Sequence, residues 1–362
     1  MGLSGSCSFS SCCGVKSVLT LLYRVLLSVL VAGIFVHLDG GKCNCQSLEK
    51  TTNEEVRGVA EAYALAMQGL RSADCKLEVT IVGDGQEIPT PEKSRATYSS
   101  EQTNQIRIAF DLDAKQVFYV NRSSFEAHGF NGEESEILNS FLPILHSYER
   151  ALSIGDSSSD VFGYLGKGQL QRYSQDGRDR VSFYRLFGIP NIHTVGLRSF
   201  TGNQSTDIDL ESTVKKLFIP DSMEPVREVS SEVFRVRSRR GQTQAENVEN
   251  FVEIDWNLQN QVPVRLAGVV LDKQQTVPIA TTYAEERITW DFSKELPLPV
   301  LIKGRNRIAR TVGPTKFLVK QEFDVKFHWQ SLNQKLDPEL FEKEQIASSE
   351  SRQRAVSLET SE

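Results

Sequence analysis

The sequence predicts an α+β fold built on an antiparallel sheet, and three observations support this prediction. An apolar leader is followed by one amphipathic helix, strand-like patterns of period two fill most of the remaining chain, and short polar turns separate those patterns. Strands joined by such short turns pair antiparallel. We therefore expect a mainly antiparallel sheet with helices packed on one face.

The leader is the largely apolar stretch from Val18 to Leu38, which Arg24 interrupts. The run from Val25 to Leu38 has 14 residues, which is typical of a signal-peptide core and short of the ~20 that a membrane span prefers. Lys16 and Arg24 lie on its amino-terminal side. This charge bias predicts that the body lies outside the cytoplasm, in the periplasm or cell envelope.

The fate of residues 1–45 is left open between a signal peptide and a membrane anchor. Cleavage before Gln46 would follow Cys43-Asn44-Cys45, although neither this site nor Leu38-Asp39-Gly40 has the Ala-x-Ala pattern. An uncleaved anchor at 18–38 is the alternative, because Arg24 near one end could extend to the membrane interface. Lipidation is disfavoured, because a lysine precedes Cys43 where a small residue is required.

Composition is that of a folded, acidic body. The chain is 39% hydrophobic and 24% charged, with a formal net charge of −6, which excludes the disordered class and argues against nucleic acid as a partner. Of six cysteines only Cys75 lies beyond the leader region, so no disulfide framework is expected in the body, and any pairing of Cys75 stays open. Cys43 and Cys45 lack the second pair that a zinc site needs.

The body begins with a helix from Asn53 to Leu70, where Thr52 and Glu55 have the spacing of a capping box. A strand at 76–82 follows and ends at the turn pair Asp84-Gly85. The helix has an apolar stripe of Val56, Val59, Ala60, Tyr63, Met67 and Leu70.

The remaining strands are predicted from alternation and turn residues. Strands 105–112 and 116–121 form a hairpin, and the last strand, FLVKQEFDVKFHW, has one apolar and one charged face, with a slip at Gln321 that indicates a bulge. The other predicted strands span 180–187, 232–239, 250–256, 263–271, 282–292 and 316–329.

Two further helices are expected, one at 133–152 that Pro143 must kink or split, and a weaker one at 207–217. No linker divides residues 46–342, so we expect a single β-rich domain, with the loop at 155–177 as the alternative boundary. The polar tail at 343–362 is predicted to be disordered.

The order of these elements, together with two short segments, resembles the LolA/LolB lipoprotein-carrier fold. FHWQSLNQKLDPELFE at 327–342 looks like the last strand of that family, in which Asn333 begins a turn and Phe341 returns to the sheet. FGIPNIHTVGL at 187–197 is similar to a segment of related exported proteins. The resemblance implies a sheet curved into a half-barrel, with helices on its concave face and an apolar cavity for acyl chains. It assigns no functional residue.

Motifs of catalysis are absent from the sequence. It contains no Gly-x-Ser-x-Gly, His-Glu-x-x-His or phosphate-binding loop, and the glycines from Gly163 to Gly168 lack the order of a dinucleotide site. His128, His146, His193 and His328 are scattered. We therefore predict no catalytic, cofactor or metal residue and a protein that is not an enzyme.

Two basic stripes are the candidate ligand residues. In each stripe alternate residues of one strand are cationic, so the three side chains share a face that could receive phosphate head groups or an acidic polymer. The simpler interpretation is a solvated strand face that protects the sheet from aggregation. The stripes are Arg235, Arg237 and Arg239, and Lys303, Arg305 and Arg307.

The function predicted from these features is an exported protein that binds a lipid or a lipidated polypeptide in an apolar cavity. A membrane-anchored structural or interaction protein that uses its sheet for docking is the first alternative. A hydrolase of envelope polymers, which would need clustered carboxylates or histidines, is the second alternative.

Overall fold

The computed structural model describes residues 45–87, 97–128, 150–154, 160–165, 169–174, 191–200, 210–242, 248–273, 279–312 and 315–342. The leader, most of the helix expected at 133–152, the strand expected at 180–187 and the tail from 343 lie outside these ranges. Residues 49–362 form one compact unit and residues 1–48 another. None of the described helices has the length and apolarity to span a membrane.

The described elements are mostly strands. There are helices α1 (Cys45–Gln68) and α2 (Leu210–Leu217), 3₁₀ helices at Ile192–Thr194 and Pro338–Phe341, and strands β1 (Ser72–Glu87), β2 (Thr97–Asp111), β3 (Gln116–His128), β4 (Arg150–Ile154), β5 (Asp160–Leu165), β6 (Gln169–Ser174), β7 (Arg227–Ser230), β8 (Val233–Gln242), β9 (Val248–Asn257), β10 (Val262–Asp272), β11 (Ile279–Asp291), β12 (Leu298–Val312) and β13 (Thr315–Leu332).

These strands form one antiparallel sheet in the order β6-β5-β4-β3-β2-β1-β13-β12-β11-β10-β9-β8-β7. Almost every neighbour in space is a neighbour in sequence, and the exception is the pairing of β1 with β13 in the middle. Among the described strands, β6 and β7 are the two edges, so the sheet is not closed. The antiparallel sheet expected from the sequence is confirmed.

Helix α1 packs on one face of the sheet, called here the inner face. All six residues of the predicted apolar stripe are buried. Tyr63 lies edge-on against Trp256 and Trp290, with ring centroids 5.8 and 5.6 Å away, and its hydroxyl donates to the Val195 carbonyl at 2.6 Å. The helix thus joins strands β9 and β11 to the segment 191–200.

Helix α1 begins at Cys45, earlier than the predicted start at Asn53, so the proposed capping box is wrong. Leu48, Glu49 and Lys50 favour helix, and nothing between them and Thr52 breaks it. The Asn53 side chain instead accepts from the Val226 backbone N–H at 3.3 Å.

Several strand boundaries also differ from the prediction. The turn expected at Asp84-Gly85 is wrong, because β1 continues to Glu87 and is paired there with both β2 and β13. Residues 150–152, expected to end a helix, belong to β4, and β5 and β6 lie within the loop proposed as a boundary. Continuous pairing on neighbouring strands outweighs the local turn and helix preferences.

Strand β13 alternates strictly between the two faces. Gln321 takes an inward position and is only 7% exposed, so the bulge expected there is absent. The irregularity of β13 lies instead at Gln330, where Cys75 pairs with Trp329 while Asp74 pairs with Ser331. An inward amide interrupts the apolar pattern without changing the backbone.

The chain end crosses to the opposite, outer face. Asn333 has φ 47°, accepts from the Arg71 N–H at 2.8 Å and donates to the Gly69 carbonyl at 2.8 Å, which fixes the turn after β13. Phe341 then packs against Ala109 and Phe118. The turn and the return to the sheet expected from the resemblance are both observed.

Candidate functional site: a groove between two separated strands

Strands β12 and β13, the two longest described strands of the carboxyl-terminal half, separate at one end. Pairing of β12 with β13 begins at Leu301 with Lys326, and the described residues below it, Leu298 to Val300, have no partner on β13. Pro299 lies in this stretch and has no N–H to donate to a neighbouring strand. The sequence Leu-Pro-Leu-Pro thus opens a gap in an otherwise continuous sheet.

A groove of about 500 Å³ fills this gap, and we call it the seam groove. The Trp329 indole N–H donates to the Pro299 carbonyl at 2.9 Å and bridges the two strands at its floor. Phe327 stacks on Trp329 with ring planes 13° apart, so the floor is a rigid aromatic surface. The apolar side chains lining the groove are Leu296, Leu298, Val300, Phe327, Trp329 and Leu332.

The rim of the seam groove is polar. Asp291 ends β11, and Lys294 and Glu295 lie on the connection from β11 to β12. The Ser293 backbone N–H and hydroxyl donate to Asp291 at 2.8 and 2.9 Å and hold the pKa of that carboxyl below its usual range. Ser331 Oγ, also lining the groove, is buried without a partner in the described part of the chain. An apolar chain with a polar end matches this arrangement.

The first basic stripe lies on the outer face and faces carboxylates. Arg235 donates to Asp255 at 2.6 and 2.9 Å, and Arg237 donates to Glu253 at 2.8 Å. Arg239 lies 3.2 Å from a carboxylate oxygen of Glu249. These three cations are therefore already neutralised by neighbouring strand β9.

The second stripe lies on β12, three strands away from β9 on the same face. Arg305 lies 2.5 Å from Glu285, whereas Lys303 lies 3.9 Å from Asp324. Arg307 forms no ion pair with any described residue. The structure does not bring the two stripes together. They also differ in how many of their cations form ion pairs with described carboxylates.

Together these contacts form an outer ion-pair network across β8 to β12. Glu253 contacts Arg237 and Arg265, while Glu285 contacts Arg265 and Arg305. Burial alone would raise the pKa of Glu253 and of Glu285, but the surrounding guanidinium groups outweigh it and hold both pKa values below the usual range. These carboxylates are therefore ionised at neutral pH and are unsuited to donating a proton in catalysis.

Sequence reasoning missed a row of amide side chains on the inner face, which we call the amide row. Gln102 donates to Asn104 at 2.6 Å, and Asn104 donates to Asn121 at 3.1 Å. Across β1, Gln321 pairs in register with Asn306, and both are buried. Gln321 Oε1 has no partner in the described part of the chain. Inward amides among alternating apolar residues were the signal that could have revealed it.

The histidines and the cysteine are dispersed. His193 is fully buried, its Nε2 lies 2.9 Å from the Leu70 carbonyl, and burial lowers its pKa. His328 lies on the outer face, 3.4 Å from Glu78. Burial raises the pKa of the Cys75 thiol, which leaves it unreactive. Within the described ranges, no three His, Cys, Asp or Glu residues are placed to hold a metal ion.

No protein-family model and no curated protein matches the chain. Solved structures that overlap it include a DUF1329 family protein from Desulfovibrio piger, with 11% identity, 80% of this chain and 97% of the other covered, and a TM-score of 0.32. An outer membrane lipoprotein-sorting protein domain from Vibrio parahaemolyticus has 10% identity, coverages of 80% and 97%, and a TM-score of 0.35.

A LolA superfamily protein from Nitrosomonas europaea is also among the similar structures, with 11% identity, 79% of this chain and 98% of the other covered, and a TM-score of 0.28. This is the family that the carboxyl-terminal segment resembles in sequence. No residue role is transferred from these proteins to this chain.

Proposed function

We propose that this protein binds the apolar chain of a lipid or of a lipidated polypeptide in the seam groove, outside the cytoplasm. The sheet would curve as a half-barrel around its inner-face helices, and the leader would serve as signal peptide or anchor. The observation that carries the proposal is the groove itself, because its volume of about 500 Å³ and its six apolar side chains suit an acyl chain. Ligand pockets begin at roughly 300 Å³.

The chemistry of the groove supports an amphipathic ligand. The rings of Phe327 and Trp329 offer an apolar floor, and the Trp329 N–H is already satisfied by Pro299, so an acyl chain that enters does not take this N–H away from water. The charged rim at Lys294 lies where the polar end of such a ligand would emerge. The groove is open to solvent, which allows exchange.

The test is binding of a dansylated fatty acid and of a synthetic diacylated lipopeptide to the purified full chain. Leu296→Glu places a charge in the groove and should weaken binding of both probes at least tenfold, because burying an unpaired carboxylate beside an acyl chain is costly. Phe292→Glu is the matched control on the same connection, since Phe292 is 48% exposed and does not line the groove. It should bind like the unmodified protein.

Equal binding by the Leu296→Glu and Phe292→Glu variants would place the ligand elsewhere, and absence of binding by the unmodified chain would reject the function.

Denaturing mass spectrometry of the chain from an exporting host tests the location. A mature mass beginning near Gln46 indicates a cleaved, soluble carrier. A mass that retains residues 18–38, together with recovery in the membrane fraction, indicates the anchored alternative.

A further inference from the structure

On the outer face of β8 to β13, many charged residues stand beside an opposite charge on a neighbouring strand. On β12 and β13, Lys303 stands opposite Asp324 and Arg305 stands opposite Glu322. Arg265 and Arg287 face each other, and both contact Glu285. Opposite charges on neighbouring strands stabilise a sheet, and like charges destabilise it.

Arg307 on β12 stands directly opposite Lys320 on β13. Both side chains are exposed, and among the described residues neither has a carboxylate within the 4.0 Å of an ion pair. Asp84 is in register with Lys320 on its other side, but the two do not form an ion pair either. Two positive charges therefore adjoin in the middle of the β12–β13 pair, and neither forms an ion pair with a described residue.

A cleft of about 260 Å³ lies beside this pair of cations. Arg305 and Arg307 form its wall on β12, and residues 280–284, which include Thr281, Thr282 and Tyr283, form its wall on β11. The cleft thus combines two guanidinium groups with residues that carry hydroxyls. Bidentate arginines and hydroxyl donors are the groups that proteins use to hold phosphate.

We propose that this cleft binds a phosphate group, with Arg307 as the principal ligand, Lys320 as a second positive charge and Arg305 shared with Glu285. Of the six stripe cations, the proposal selects Arg307, which forms no ion pair with a described residue, and its neighbour Arg305. It is independent of the seam groove, since Lys320 and Trp329 are nine positions apart on β13, about 30 Å along a strand.

Two sources of phosphate share this chemistry, and the experiment separates them. Calorimetric titration with inorganic phosphate and with glycerol 3-phosphate measures binding of the free ion and of a monoester. Flotation with phosphatidylcholine vesicles, with and without phosphatidic acid, measures binding to a lipid surface. We expect saturable binding of the soluble phosphates, and association with the phosphatidic acid vesicles alone if the source is a membrane.

The variants Arg307→Gln and Lys320→Gln should each weaken binding about tenfold or more, because each removes a charge-assisted contact. Both positions are exposed, so the fold is expected to persist, and circular dichroism checks it. Arg240→Gln is the matched control, since it removes the same charge from an exposed position on β8. Loss of binding in all three variants equally, or unchanged binding in the first two, would overturn the proposal, as would failure of every phosphate probe to bind.

Discussion

The inner and outer faces of the sheet are both buried in their central part, yet by opposite means. Around Tyr63 the inner face excludes water with aromatic and aliphatic side chains and a covering helix. At Glu253 and Asp255 the outer face buries carboxylates to 3% and 4% exposure with no helix above them among the described elements, because arginine side chains lie across the strands. Burial of a strand face therefore does not require an apolar sequence.

This difference explains why the basic stripes are hard to interpret from sequence. Alternating arginines on β8 resemble an exposed, ligand-accepting surface, but their partners come from β9, whose acidic residues alternate in the same way. A charge is available for a ligand only where the neighbouring strand fails to neutralise it. Arg307 meets that condition, and Arg235 and Arg237 do not.

The largest expected effect is on the inner face. Tyr63→Ala removes a ring between Trp256 and Trp290 and should lower the free energy of unfolding by about 3–5 kcal/mol, measured by urea denaturation. Leu65→Ala on the same helix, at a position 71% exposed, should change it by less than about 0.5 kcal/mol. A small effect of the first variant would show that the inner face is loosely packed.

The outer face should respond to charge rather than to volume. Glu253→Gln keeps the shape of the side chain but leaves Arg237 and Arg265 undercompensated, and we expect a loss of about 2–3 kcal/mol, reduced from the fully buried case because both arginines are partly exposed. Glu101→Gln, at an exposed position on β2, is the control. If the two variants had the same free energy of unfolding, the outer ion-pair network would not contribute to stability.

Lowering the pH should destabilise the inner and the outer face in two separate pH ranges, an upper and a lower window. In the folded state burial holds the pKa of His193 below its usual value near 6.5, so the unfolded state binds more protons and stability falls as pH drops below about 6.5. Glu253 and Glu285 also have lowered pKa values, so their contribution is present above about pH 4.5 and is lost as pH falls toward those values.

The slope of stability with pH should not exceed about 1.4 kcal/mol per pH unit for each such group. His193→Gln should remove the upper window and leave the lower one, as followed by urea denaturation from pH 8 down to about pH 3. An upper window that persists in this variant would assign it to another group.

The smallest effect is expected on the solvent side of α1. Arg57 and Glu61 form an ion pair at 2.8 Å, but their side chains are 51% and 45% exposed. Arg57→Gln should therefore change the free energy of unfolding by no more than about 0.5 kcal/mol. A loss as large as that of Glu253→Gln would remove the distinction between exposed pairs and the outer network.

Much of the fold could be predicted from sequence because its signals are local. The stripe on α1, the β2–β3 hairpin and the alternation of β13 each follow from spacing within one element. The register of distant strands does not, and so the partners of Arg235 and the opening beside Pro299 could not be foreseen. Gln321 shows most clearly what a sequence pattern cannot distinguish. An inward amide and a bulge interrupt the alternation of apolar residues in the same way.

The pairing of β1 with β13 means that the central part of the sheet forms only after the last strand has been synthesised. The two strands at the centre of the sheet, joined from Ala73–Leu332 to Glu87–Phe317, come from opposite ends of the body. During synthesis, β1 must wait without this neighbour until more than 200 further residues have appeared, and such distant pairings form slowly. Until the last strand arrives, a central strand is an unprotected edge, so holding the chain unfolded until it is complete would favour its correct folding.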